Sequence, residues 1–372
     1  MKNNLYRLIA VAAAAVYALG ACSTTDNSTP SDTSATKLKV TTSFYPLTYL
    51  VKEIGGENVS VIDLTPPTGS AHDAEISPAQ IVDMEKSDAV FYLATLSAAV
   101  DKAVENAAVK NAVNIGESVN LIKQTDIAAF SESLPSVDAD LDNQHESETH
   151  DEHLHANQNH AEKHEHENEH AHDHEHEHEH EHEHGHDHEH EHEHEHNHGI
   201  YDPHFWTDPS RLALAAPVIA NTLGKIDNAN KSTYEENATA VADKLNTIAN
   251  EFKNTLSTKQ CRTNAFIVTH LAYGYLAAQN NLKQIGIAGF DPDIEPSPAR
   301  INQIKEAAKQ YNIDTIFATS DTEKTVASAV ANETGTKVEI LDPAATQRDS
   351  QKDYIAVMRE NFKLLQNSLG CK

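Results

Sequence analysis

From residue 37 onward, short apolar runs alternate with segments of helical spacing. Lys37 to Phe44 alternates apolar and polar positions and is β-branched, which predicts a strand. Pro46 opens a helix that ends at Gly55-Gly56. Val59 to Leu64 reads as a second strand, followed by the turn-rich stretch Thr65 to Ser70. A helix over Ala79 to Lys86 follows Pro78, and Ala89 to Leu93 is a near-continuous apolar run of the kind buried on both faces of a parallel sheet. Ser97 to Ala108 then predicts a helix and Ala112 to Ile115 a short strand. After residue 199 the alternation resumes. A helix is expected from Asp208-Pro209 through about Leu223. A longer one carries Tyr234, Ala238, Val241, Leu245, Ile248, Phe252 and Leu256 at spacings of three and four. Its stripe suits a spine between two lobes or a core helix of the second. Beyond it come strands at Phe266 to Thr269, Lys283 to Ile287, Ile313 to Ala318 and Val338 to Leu341. Helices are expected at Ala272 to Gln279, Ser297 to Gln310, Glu323 to Ala331 and Ser350 to Leu369.

This is an α/β chain of two Rossmann-like (β/α) lobes joined by a long rigid helix. The expected boundaries are 37–228 for the first lobe, 229–259 for the linking helix and 260–372 for the second lobe. Residues 131–199 interrupt the first lobe. They have too few apolar residues to bury a core, so a disordered insertion is predicted.

Charge changes the picture in one place. The insertion holds 23 acidic residues and one lysine, which accounts for most of the net −29. The remainder is mildly acidic, with nothing basic to attract nucleic acid. The N-terminus reads as a targeting segment: Lys2 and Arg7 precede an apolar run from Leu8 to Leu19 that is short for a membrane span. Leu19-Gly20-Ala21-Cys22 resembles a lipobox, which implies a signal peptide over 1–21 and a lipid on Cys22. Residues 22–36 then form a polar tether. Cys261 and Cys371 remain as an even pair, and export to an oxidising compartment predicts a disulfide between them.

Histidine carries the candidate chemistry. Of 25 histidines, 22 lie between His145 and His198, leaving His72, His204 and His270. Each of the three falls at a turn or strand end, and three imidazoles in such places suit one zinc site. Spacing alone leaves open three unrelated histidines. Asp342, directly after a strand, could add an oxygen, and Asp202 could be a carboxylate behind His204. In the tract, His174, His176, His178, His180, His182 and His184 alternate with Glu and could form auxiliary weak metal sites, or a solvated expansion with incidental affinity. The HExxH pattern occurs only there, as a by-product of alternation, so it is no metalloprotease helix.

Several motifs stand together: Gly69-Ser70-Ala71-His72 with Glu75 and Pro78, Asp202 to Trp206, Thr269 to Tyr275, and Leu341-Asp342-Pro343, with a His-rich loop before the second. In these the chain resembles the zinc-binding lipoproteins of ABC importers, the ZnuA/AdcA group of metal solute-binding proteins, over about residues 37–371. The resemblance implies metal in an inter-lobe cleft, with His72 and His204 from the first lobe and His270 and Asp342 from the second. It departs at Ala71, where the family usually has Pro, and a third imidazole at His270 favours zinc over manganese or iron. The function expected is an extracytoplasmic Zn(II) receptor, not an enzyme. It would be a monomer, lipid-anchored to a bacterial membrane at the periplasm or cell surface, and would deliver zinc to an ABC-type permease without binding nucleic acid. The alternatives are a manganese or iron receptor of the same type, and a metal-buffering or adhesive surface lipoprotein.

Overall fold

A computed structural model describes residues 37–130, 199–257, 260–288 and 296–372. The expected signal peptide, the lipidated Cys22, the tether and the auxiliary histidines of the tract lie outside these residues.

Among the described residues, eight strands form two four-stranded parallel sheets. The first contains β1 (Leu38–Thr42), β2 (Val59–Asp63), β3 (Ala89–Tyr92) and β4 (Ala112–Asn114), in the order β2-β1-β3-β4. The second repeats that order as β6-β5-β7-β8, with β5 Ala265–Val268, β6 Lys283–Gly286, β7 Thr315–Ala318 and β8 Lys337–Ile340. Register follows burial. Val40 of β1 pairs with Ala89, and Ile267 of β5 pairs with both Ile285 and Ile316. All of these side chains are buried. In each sheet the strand order reverses between its first and third strands, and loops leaving the carboxyl ends there splay apart to leave a crevice.

The linking helix spans Lys231–Leu256, about 39 Å at 1.5 Å per residue. All seven residues of its apolar stripe are buried. The stripe packs on the Tyr45–Gly55 and Ala216–Ile226 helices of the first lobe and on Tyr354–Leu369 of the second. It therefore belongs to both lobes. The Cys261–Cys371 disulfide closes beside its carboxyl end and ties the last residues of the chain to the start of the second lobe. In a chain-entropy account, a loop of 110 residues is worth about 4–5 kcal/mol.

Two expected elements differ. The helix expected from Pro209 through Leu223 is two helices, Pro209–Ala213 and Ala216–Ile226. Pro217 lies in the first turn of the second helix. Its missing N–H and its ring cannot accommodate the carbonyl four residues back, so the first helix stops. The last helix starts at Tyr354 instead of Ser350, because the Asp353 carboxylate caps it by accepting from the Ala356 N–H at 2.7 Å.

The lobes are stitched by polar groups that reach main-chain atoms. Trp206 Nε1 donates to Pro343 O at 2.9 Å and the Tyr354 hydroxyl to Trp206 O at 2.5 Å. Thr207 reaches Ala272 O at 3.2 Å, Thr346 reaches Pro67 O at 3.1 Å, and the Tyr45 N–H reaches Ala345 O at 3.2 Å. The first three donors are fully buried. Breaking the Trp206 or the Tyr354 bond would strand a buried polar group, at about 1–3 kcal/mol, whereas the Thr207 hydroxyl also bonds His204 O at 2.9 Å.

At the carboxyl end of β2, Asp63 accepts from the Thr48 hydroxyl at 2.7 Å and from the Thr65 N–H at 3.0 Å. Burial outweighs these bonds and pushes its carboxyl up to about 6. A raised folded-state value means that the folded protein holds the proton more tightly. The associated stability is fully present below about pH 4 and is lost as pH rises through 6. Asp63→Asn is therefore expected to gain on the wild type between pH 4 and pH 7, by on the order of 1–3 kcal/mol. Urea denaturation at pH 4, 5, 6 and 7 checks this, and parallel pH profiles would contradict it.

Candidate metal centre

The loop after β2 is shaped before it reaches its histidine. The Gly69 N–H bonds back to Pro66 O at 2.9 Å, and the Ser70 hydroxyl accepts from the N–H groups of His72 and Asp73 at 3.2 and 3.3 Å. Gln80 anchors the loop's base by donating to Leu64 O at 3.1 Å. A capping box between Ser77 and Gln80 starts the helix that follows. His72 is thereby presented on a short, braced turn instead of a free loop.

His204 stands at the start of a single turn, Phe205–Thr207, that runs into Asp208, the cap of the Pro209–Ala213 helix. Trp206 fills the space behind it, packed on Phe44 with ring centroids 4.6 Å apart. Asp202 Oδ1 accepts from the His204 main-chain N–H at 2.8 Å and bonds its Nδ1 at 2.7 Å. That bond assigns the proton to Nδ1 and leaves the Nε2 lone pair aimed away from the carboxylate. His270 follows β5 by two residues. The Thr269 N–H bonds Phe317 O at 2.9 Å, which extends the sheet to the edge of the site.

The structure brings His72, His204 and His270 together. His204 Nε2 lies 3.0 Å from His72 Nε2 and 3.2 Å from His270 Nε2. His204 and His270 are buried, and His72 is half-buried. One imidazole lone pair cannot serve two neighbours well, so three nitrogens crowded around one point call for a shared cation. Ligands about 2.05 Å from a tetrahedral ion sit about 3.3 Å apart, close to the observed spacing. Among the described residues these three make the group whose ligand atoms suit a metal ion.

Asp342, expected as the oxygen ligand, is placed elsewhere. Its Oδ1 accepts from the Ala344 N–H at 2.8 Å and faces Arg348 at 3.7 Å. It lines a separate cavity with Asn361 and Lys352. The local Asp-Pro turn captures the carboxylate, so a place just past a strand end does not carry it into the cleft. Burial raises its carboxyl above the usual range, with Arg348 opposing. The carboxylates that line the histidine cavity, of about 520 Å³, are Asp73, Asp321 and Glu323. Glu323 is held by the hydroxyls of Thr269 and Thr319. The local sequence carries a partial signal, since Thr319 and Ser320 lie four and three residues before it and bond its carboxylate, but the Thr269 hydroxyl comes from beyond β5.

With this geometry in place, similarity to known proteins is informative. The family model for the periplasmic zinc-uptake complex component A matches residues 40–368. The chain belongs to that family. Among curated relatives, zinc-binding lipoprotein AdcA of Streptococcus pneumoniae is 33% identical over 172 residues, covering 45% of this chain and 34% of that protein. The high-affinity zinc uptake system protein ZnuA of Bacillus subtilis is 34% identical over 175 residues, covering 46% and 54%. The chain thus spans about a third to a half of the length of these relatives. Among solved structures, laminin-binding adhesin Lmb of Streptococcus agalactiae, in a mutant form, is 25% identical with a TM-score of 0.64, over 89% of this chain and 99% of that one. The metal-dependent lipoprotein YcdH of Bacillus subtilis has a TM-score of 0.63 at 24% identity, over 90% and 99%, and shares the fold.

The different placements of the two aspartates predict different outcomes. Asp202→Asn is expected to weaken metal binding by about 10- to 100-fold, because the His204 ring loses its anchor. Asp342→Asn should change it by less than about threefold. Competitive titration with a chromophoric chelator distinguishes them, and equal losses would put Asp342 back in the site.

Proposed function

We propose that this chain is an extracytoplasmic receptor that captures Zn(II) between its lobes on His72, His204 and His270 and hands it to an ABC-type permease. The observation that carries the reading is the convergence of three imidazoles, with His204 Nε2 about one ligand–ligand spacing from the Nε2 of both His72 and His270. Imidazole nitrogen suits zinc, whereas manganese and calcium prefer carboxylate, carbonyl and water oxygen. The membership of the zinc-uptake family and the zinc-binding relatives in Streptococcus and Bacillus support the same cargo. Glu323 lines the same cavity as the three histidines. Three buried or half-buried rings offer the ion nitrogen, and the Asp202 carboxylate behind His204, with Asp73, Asp321 and Glu323 lining the cavity, supplies negative charge around a dication.

In this proposal Cys22 carries the lipid that holds the receptor at a bacterial membrane, and the His-rich tract raises local metal concentration through weak sites such as His174 to His184. The receptor acts as a monomer and does no chemistry on its cargo. A second reading, an adhesive surface lipoprotein, draws support from the likeness to the laminin-binding adhesin. Loss of growth in zinc-chelated medium on deletion of the gene favours transport, and unchanged growth favours adhesion.

Competitive zinc titration tests the cargo site. Deleting residues 145–198 is expected to leave one tight site and remove the weaker ones. In that background, His270→Ala should weaken the tight site by about 100-fold or more. Wild-type-like binding by the doubly altered protein would contradict the inter-lobe site.

A further inference from the structure

We propose that Gly274 and Tyr275 of the second lobe are positioning residues for His204 of the first lobe, acting through the Asp202 carboxylate. The inference rests on the reading of the three histidines as the zinc site. It starts from how Asp202 is divided. Its Oδ1 takes both the main-chain N–H and Nδ1 of His204. Its Oδ2 is buried with no hydrogen-bond partner among the described residues. An unpartnered buried carboxylate oxygen is costly, so something must hold the group in that pose.

Two contacts from the helix Gly274–Asn280 do so. A Cβ built on Gly274 would lie 2.9 Å from Asp202 Oδ2 and 2.8 Å from Ile127 Cδ1. Real Cβ atoms do not approach so closely, so only a hydrogen at this position leaves room for the carboxylate. The need is for space and not for an unusual backbone conformation. The neighbouring Tyr275 fixes the Asp202 main chain: its hydroxyl donates to Asp202 O at 2.6 Å and accepts from the Ile122 N–H at 2.9 Å. The Asp202 N–H in turn donates to Ile122 O at 3.0 Å. The Tyr275 ring is fully buried, with the Arg211 guanidinium 4.9 Å from its centroid. Asp202 therefore has its backbone clamped by one residue and its side chain confined by the residue before it.

Both residues lie within five positions of His270. One segment of the second lobe thus supplies one nitrogen of the site and sets the tautomer and direction of a nitrogen from the first lobe. Any shift of this segment moves His270 and releases His204 together.

The test uses the full chain with Gly274→Ala, Tyr275→Phe and, as control, Tyr354→Phe. The control also removes a buried hydroxyl that crosses the lobes, but that hydroxyl bonds Trp206 O and does not touch Asp202. Two quantities are measured: zinc affinity by competitive titration, and the ring-nitrogen NMR shifts of His204 in metal-free, ¹⁵N-histidine-labelled protein at pH 8, identified by their loss in His204→Gln. Gly274→Ala and Tyr275→Phe should each weaken zinc binding by about tenfold or more and mix the two neutral tautomers of His204. Tyr354→Phe should change neither. In an Asp202→Ala background, Gly274→Ala should alter affinity by less than about twofold, because the group it crowds is gone. Unchanged His204 shifts in both variants would overturn the proposal, as would an equal loss in Tyr354→Phe or full additivity with Asp202→Ala. If Gly274→Ala does not fold, Tyr275→Phe decides alone. Wild-type protein that binds no zinc would overturn the metal reading, while the metal-free spectra would still decide the positioning.

Discussion

Three neutral imidazoles do not gather around one point without help, since each ring offers a single in-plane lone pair and the nitrogens gain little from one another. The rest of the structure acts to keep them there. Each histidine leaves a different loop, and each loop is braced by main-chain bonds of its own: the Ser70 turn for His72, the Asp202 carboxylate for His204 and the β5–β7 edge for His270. The ordering entropy of the site is thereby met during folding and not on metal arrival, which is what a receptor needs to bind an ion tightly without first collapsing around it.

Two parallel sheets with the same strand order explain where such a site can lie. Carboxyl ends of strands open crevices at the point of order reversal, and two lobes facing each other double the crevice. The seam then limits how far the lobes can part. It is built from buried donors that reach main-chain carbonyls, including Trp206 to Pro343 and Tyr354 to Trp206. Main-chain acceptors do not adjust by rotating a side chain, so each such bond fixes the spacing of the lobes where it lies. With the Lys231–Leu256 helix packed on both lobes, the frame favours small loop movements over a wide hinge.

Much of this was legible in the chain. The continuous apolar run Ala89 to Leu93 reads as a strand covered on both faces, and the stripe of the long helix fixes its period while leaving open whether it joins the lobes or belongs to the second. Parity of Cys261 and Cys371 sufficed for the disulfide, because exported thiols pair. Pro217 marks the helix break in the sequence itself, although the apolar spacing from Pro209 to Leu223 is continuous across it. At the site, the histidines stood out because so few lie outside the tract. Asp342 misled because a strand end says where a residue starts and not where its carboxylate points; the following Ala344 N–H decided that. Glu323 was only partly legible: Thr319 and Ser320 bond it locally, but the Thr269 hydroxyl meets it only after β5 and β7 pair.

If, as proposed, one zinc ion lies between the lobes on three imidazole nitrogens, anomalous diffraction at the zinc edge from crystals of the zinc-loaded protein should show one strong peak within bonding distance of Nε2 of His72, His204 and His270, and none at Asp342. A strong peak that lacks any one of the three nitrogens, or none in the cleft, would contradict it.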